Sequence, residues 1–122
     1  MGVSATDLRR AVAFYELLGF TFPPFDDAED HVQTEPAQGA RLMIDSAELL
    51  AGLLGEQPRA GNTAAFAIRL PTPAEVDEVA ARVAAAGHTV VTDPWDAPWQ
   101  QRYATVEDPD GYRVDLYASL PG

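Results

Sequence analysis

The 122-residue chain contains no cysteine and no lysine. Without thiolates or primary side-chain amines, thiol nucleophiles and Schiff-base chemistry are excluded. The lack of cysteine fits a reducing compartment, and a cytoplasmic location is expected. Serine occurs three times, as Ser4, Ser46 and Ser119, never in a nucleophile-elbow setting. The two histidines, His31 and His88, lie far apart along the chain, and both are expected to be ordinary surface or strand residues. Basic residues number 8 against 19 acidic ones, for a formal net charge of −11. A protein that grips a phosphate backbone needs a positive footprint, so no nucleic-acid partner is expected. No apolar run approaches a membrane span, and Met1 is not followed by a basic and then apolar signal segment. Any catalysis must use carboxylates, tyrosines, arginines or a borrowed metal. The acidity serves solubility, and it also suits attraction of a cationic ligand.

What is present describes one α+β domain, residues 1–122, made of two related half-modules at about 1–55 and 62–118. Apolar residues make up 47% of the chain, enough for a core at this length without disulfides or metal. Thr6 or Asp7 can cap a first helix whose buried stripe is Leu8, Ala11, Val12, Tyr15 and Leu18, with Gly19 closing it. Residues 20–25 look extended but contain Pro23-Pro24, which predicts an edge or broken strand. Short strands are expected at 31–35 and 41–45, then a helix or turn over 46–54 ended by Gly55. In the second half, residues 62–70 alternate, with Phe66, Ile68 and Leu70 on one face and Thr63, Ala65, Ala67 and Arg69 on the other. Thr72, Pro73 and Glu75 form a capping box before the stripe Val76, Val79, Ala80 and Val83, and Gly87 ends that helix. A strand over 89–92 is followed by a loop over 93–99 with two prolines. A hairpin then turns at Asp108-Pro109-Asp110-Gly111.

The halves echo each other. Leu17-Leu18-Gly19-Phe20-Thr21 matches Ala85-Ala86-Gly87-His88-Thr89, and Gly39-Ala40-Arg41-Leu42-Met43 matches Gly111-Tyr112-Arg113-Val114-Asp115. The offsets of 68 and 72 residues differ by one short insertion.

Asp7-Leu8, Ala13-Phe14-Tyr15 and Leu18-Gly19-Phe20, with Asp108-Pro109-Asp110-Gly111-Tyr112-Arg113-Val114-Asp115-Leu116 at the far end, resemble the vicinal oxygen chelate superfamily. That superfamily includes glyoxalase I, extradiol dioxygenases and bleomycin-resistance proteins, and the resemblance covers nearly the whole chain. It implies two tandem βαβββ modules forming curved mixed sheets around a cleft, often completed in a homodimer. The expected first strand is short or missing, since only Met1 to Ala5 precede Thr6. Metal-dependent relatives carry His or Glu early in each module's first strand and within its last. Here the last-strand position falls on Asp115, its repeat partner is Met43, and the second module's first-strand position falls near Thr63. One carboxylate cannot hold a divalent ion, so no metal and no cofactor are expected, in the manner of the bleomycin-resistance-like members.

The expected cleft lining is Arg41, Met43, Thr63, Ala67, Tyr103, Thr105, Asp115 and Tyr117. Trp95, Trp99 and Arg102 come from the proline-bearing segment beside it. The indoles can stack on a flat ligand or plug the end of the sheet. Arg102 can pair with an anionic group. Gln100 stands where relatives commonly have glycine. The sequence is thus read as a metal-free binder of an aromatic, amphipathic or cationic small molecule, with Trp95, Trp99, Arg102, Tyr103, Asp115, Met43 and Thr63 as its site. The enzymatic alternative is a lyase, isomerase or dioxygenase with Asp115 as metal ligand or base and Tyr103 as acid. A third reading is an interaction module that meets a protein partner through its acidic surface.

Overall fold

The computed structural model describes residues 2–34 and 42–121. The expectations for Arg41 and for the first member of the second echo, Gly39-Ala40-Arg41, lie outside the described residues. The chain divides into two compact units, residues 1–60 and 61–122.

The first unit runs β1 (Gly2–Ala5), α1 (Leu8–Leu17), β2 (His31–Gln33), β3 (Met43–Ser46) and α2 (Ala47–Leu54). The first strand is present but only four residues long. It pairs parallel to β3, and β2 pairs antiparallel to β3 on its other side, giving the order β1-β3-β2. One face of this sheet, Val3, Ile44 and Val32, is buried together with Ala11, Val12, Phe14, Tyr15 and Leu18. Phe14 was not in the predicted stripe. It joins the core edge-to-face against Tyr15, with ring centroids 5.0 Å apart, while Leu8 is only half buried. Asp7 rather than Thr6 caps α1, its side chain accepting from the Arg10 amide at 3.2 Å. Ser46 caps α2 in the same way, and left-handed Gly55 ends it.

The expected strand over residues 20–25 is absent. Two successive prolines supply no amide to a ladder, and the segment is held instead by α1. Arg9 donates to the Phe25 carbonyl at 2.8 Å, lies over the Phe25 ring at 4.6 Å and pairs with Asp27.

The second unit has the complete pattern: β4 (Ala64–Arg69), α3 (Pro73–Ala85), β5 (Thr89–Ala97), β6 (Gln101–Glu107) and β7 (Arg113–Ser119). Its sheet order is β4-β7-β6-β5, with β4 and β7 parallel and the others antiparallel. The predicted stripe of α3 is buried as a set, and so are Ala104, Val106, Val114, Leu116 and Ala118 on one sheet face. Each buried branched side chain contributes roughly 1.5–3 kcal/mol. Alternation therefore sends Tyr103, Thr105, Asp115 and Tyr117 to the face away from α3.

The expected loop over residues 93–99 is a strand for most of its length. β5 continues through Pro94, Trp95 and Asp96 to Ala97, with irregular register between Val90 and Trp95. It is the edge strand, so a proline there need not supply a ladder hydrogen bond. The tight turn that follows places Gln100 at φ 64. This left-handed conformation strains a side chain that glycine lacks. Gln100→Gly is expected to raise stability by about 1 kcal/mol, roughly 4 °C in melting temperature. Thermal denaturation followed by circular dichroism checks this, and an unchanged or lower midpoint would contradict it.

Candidate functional site

The hairpin β6–β7 supplies the polar centre. Thr105 and Asp115 are register partners, as are Tyr103 and Tyr117. Tyr103 Oη donates to Asp115 Oδ2 at 2.5 Å, and Thr105 Oγ1 donates to Asp115 Oδ1 at 2.7 Å. The carboxylate is therefore held toward β6 at both oxygens. Partial burial, reinforced by the hydrogen bond to Asp115, pushes the Tyr103 phenol up to about 12. At neutral pH this phenol keeps its proton and acts as a fixed donor.

An aromatic chain extends from this centre across the sheet. Tyr103 stacks near Tyr117 with centroids 6.2 Å apart, and Trp99 meets Tyr103 edge-to-face at 5.4 Å. Trp95 meets Trp99 edge-to-face at 5.6 Å. Trp95 is also the register partner of Tyr103, which places it on the same sheet face. The indoles remain 42% and 52% exposed, so neither plugs the sheet as a core residue would. Four rings thus form a continuous surface beside one carboxylate.

Of the seven site residues expected from sequence, four belong to this cluster: Trp95, Trp99, Tyr103 and Asp115. Arg102 does not. One residue from Tyr103 along β6, it points to the opposite face, where Nε and Nη2 donate to Asp77 of α3 and Nη1 to Asp96. It ties helix to sheet and is not an anchor for a ligand on the aromatic face. Thr63 precedes β4 and is exposed, whereas the β4 neighbour of Asp115 is Ala67. Met43 lies in the first unit between Gly2 and Gln33, 38% exposed. The equivalence of Met43 and Asp115 holds in register: Asp115 sits between Ala67 and Thr105 as Met43 sits between Gly2 and Gln33. Tyr117, expected from sequence as part of the cleft lining, lies on this face, and its stacking on Tyr103 is what the sequence did not reveal.

His31 is more than a plain strand residue. Its Nδ1 lies 2.6 Å from Asp45 Oδ1 and its Nε2 lies 3.1 Å from Gln33 Oε1. The hydrogen bond to Asp45, followed by that to Gln33, raises the imidazole above its ordinary 6.5. A raised folded-state value favours the folded protein when the ring is charged. The contribution is therefore complete below 6.5 and is lost as pH rises through the raised value. Both partners are partly exposed, so the effect stays under about 1 kcal/mol. Wild-type melting temperature, corrected with the Asp45→Asn variant, is expected to fall modestly from pH 6 to pH 8. Parallel curves for the two proteins would show that the pair contributes nothing.

The glyoxalase/bleomycin resistance protein/dioxygenase superfamily model matches residues 1–116. The chain belongs to this superfamily. A glyoxalase-related enzyme from Fulvimarina pelagi is similar in structure, with TM-score 0.82 and 24% identity over 98% of this chain and 85% of the other. TioX from Micromonospora sp. ML1 aligns with TM-score 0.69 and 24% identity, covering 98% and 96%. Lactoylglutathione lyase from Agrobacterium tumefaciens aligns with TM-score 0.70 and 20% identity, covering 97% and 90%. At these identities the structural likeness carries the fold alone. No curated protein matches the chain.

Metal-dependent members of the superfamily hold a divalent ion, which needs three or four oxygen or nitrogen ligands. Among the described residues no three His, Cys, Asp or Glu side chains gather in such a set. Asp115 already accepts two hydroxyl hydrogen bonds, and its lateral neighbours are Ala67 and Thr105. Met43 offers a thioether at the equivalent place. These residues do not fit a divalent-metal centre.

Proposed function

We propose that this superfamily member binds a planar aromatic or amphipathic small molecule, without a metal ion, on the Trp95–Trp99–Tyr103–Tyr117 face. The aromatic chain carries this reading. Two half-exposed indoles and two stacked phenols offer far more ring surface than the sheet needs for its own packing. Asp115 gives the surface a polar centre whose charge no arginine of the described ion pairs offsets. A ligand on a sheet face needs a second wall to be enclosed, and the proposal includes a homodimer in which the second copy completes the site.

The enzymatic alternative asks Tyr103 to act as an acid. A phenol held near 12, with its O–H engaged in a hydrogen bond to Asp115, is poorly matched to acid catalysis near neutrality. The binding reading is tested by titrating intrinsic tryptophan fluorescence with a panel of planar compounds. Saturable quenching by at least one compound is expected, and none across the panel would end the proposal. Stoichiometric zinc, nickel or iron surviving dialysis would overturn its metal-free part.

A further inference from the structure

The β4–β7 register places Arg69 beside Tyr117, and the β6–β7 and β5–β6 registers extend that row through Tyr103 to Trp95. Arg69, Tyr117, Tyr103 and Trp95 therefore cross the sheet on one face, the face away from α3. Neighbouring strands are about 4.8 Å apart, so the row is roughly 14 Å long. The burial of β4 agrees with this placement: Phe66 and Ile68 are half buried on the helix side, whereas Ala65, Ala67 and Arg69 are exposed.

Arg69 has a carboxylate within diagonal reach yet does not pair with it. Asp115 sits beside Ala67, two residues back along β4, but both its oxygens are taken by Tyr103 and Thr105 on the far strand. No ion pair or side-chain hydrogen bond of the described residues includes Arg69. The two hydroxyls thus do more than orient Asp115. By drawing its oxygens toward β6 they leave the Arg69 guanidinium without an ion-pair partner among the described residues, at the other end of the aromatic row.

We propose that Arg69 is the anion subsite of this face, and that the ligand is a planar aromatic acid. Its ring system lies over Tyr103 and Tyr117 toward the tryptophans, and its carboxylate or similar anionic group meets Arg69. This deepens the binding reading above and rests on it. The guanidinium presents several N–H donors in a fork that matches a carboxylate. The net charge of −11 does not oppose this decisively. At physiological salt, charges beyond about 8 Å are largely screened, whereas a direct contact is not. Arg69 takes the role that the sequence suggested for Arg102, whose guanidinium is committed to Asp77 and Asp96.

Matched probes separate the two levels of the argument. Isothermal titration of the full chain with 2-naphthoate and with its neutral isostere 2-naphthamide, at physiological salt, is expected to show the acid binding about tenfold tighter. Arg69→Gln should remove that preference while leaving naphthamide affinity unchanged. Arg69→Lys should retain part of it, and Arg102→Gln should retain all of it. Equal affinity for acid and amide in the wild type, or a preference that survives Arg69→Gln, would overturn the assignment of Arg69 and leave the aromatic binding face standing. Failure of both probes to bind would overturn the aromatic-acid assignment, and the binding reading falls with it only if no compound of the planar panel quenches the tryptophans.

Discussion

Replacing Trp99 with alanine is expected to weaken binding of planar compounds by roughly thirtyfold, about 2 kcal/mol, with little change in melting temperature. Trp99 touches both Trp95 and Tyr103, so it links the two parts of the aromatic chain. Being 52% exposed, it holds ring surface that folding does not use and a ligand can cover. The remaining Trp95 reports binding by fluorescence in the variant. A Trp99→Ala protein that still quenches with wild-type midpoint would remove Trp99 from the site. One that binds poorly because it has unfolded is recognised from its circular dichroism.

The second large effect concerns the turn that holds the hairpin. Asp108 is only 4% exposed. Its Oδ1 accepts from the backbone amides of Asp110 and Tyr112, each at 2.9 Å, while its own amide donates to the Tyr112 carbonyl at 2.8 Å. Gly111, at φ 88, completes the reversal where a side chain would be strained. Asp108→Ala removes the side-chain oxygen that both amides donate to and should cost about 2–3 kcal/mol, near 10 °C in melting temperature. The damage should reach function, because this turn sets the register that puts Thr105 beside Asp115. Asp108→Asn keeps an acceptor oxygen and should lose markedly less. A melting temperature for Asp108→Ala within about 2 °C of wild type would show that the turn holds without the carboxylate.

Much of the fold was legible because its signals are local. Thr72 and Pro73 cap and open α3 as the capping pattern requires, since helix ends expose amides that only nearby side chains can satisfy. The buried stripe of α3 follows from helical periodicity alone. The errors share a different cause. Residues 93–97 read as a loop because of Pro94, yet they form part of an edge strand, and edge position is a property of the whole sheet. Residues 20–25 read as a weak strand, yet Arg9 fixes them without a ladder.

The candidate site divides in the same way. Residue types and strand alternation singled out the tryptophans and Tyr103, while the resemblance to the superfamily pointed to Asp115 as a ligand position and the internal repeat set Met43 opposite it. Sequence order alone also determined the superfamily's motifs and the excess of acid over base. Which arginine faces the aromatic row was decided only by the tertiary structure. Arg102 follows the tryptophans by a few residues, but strand alternation turns it to α3 and Asp77. Arg69 lies far away in sequence, yet parallel pairing of β4 with β7 brings it beside Tyr117. A side chain's type is written in the chain, but the face it serves depends on strand parity and on which strand lies alongside. Those are long-range choices made by packing the sheet against its helix.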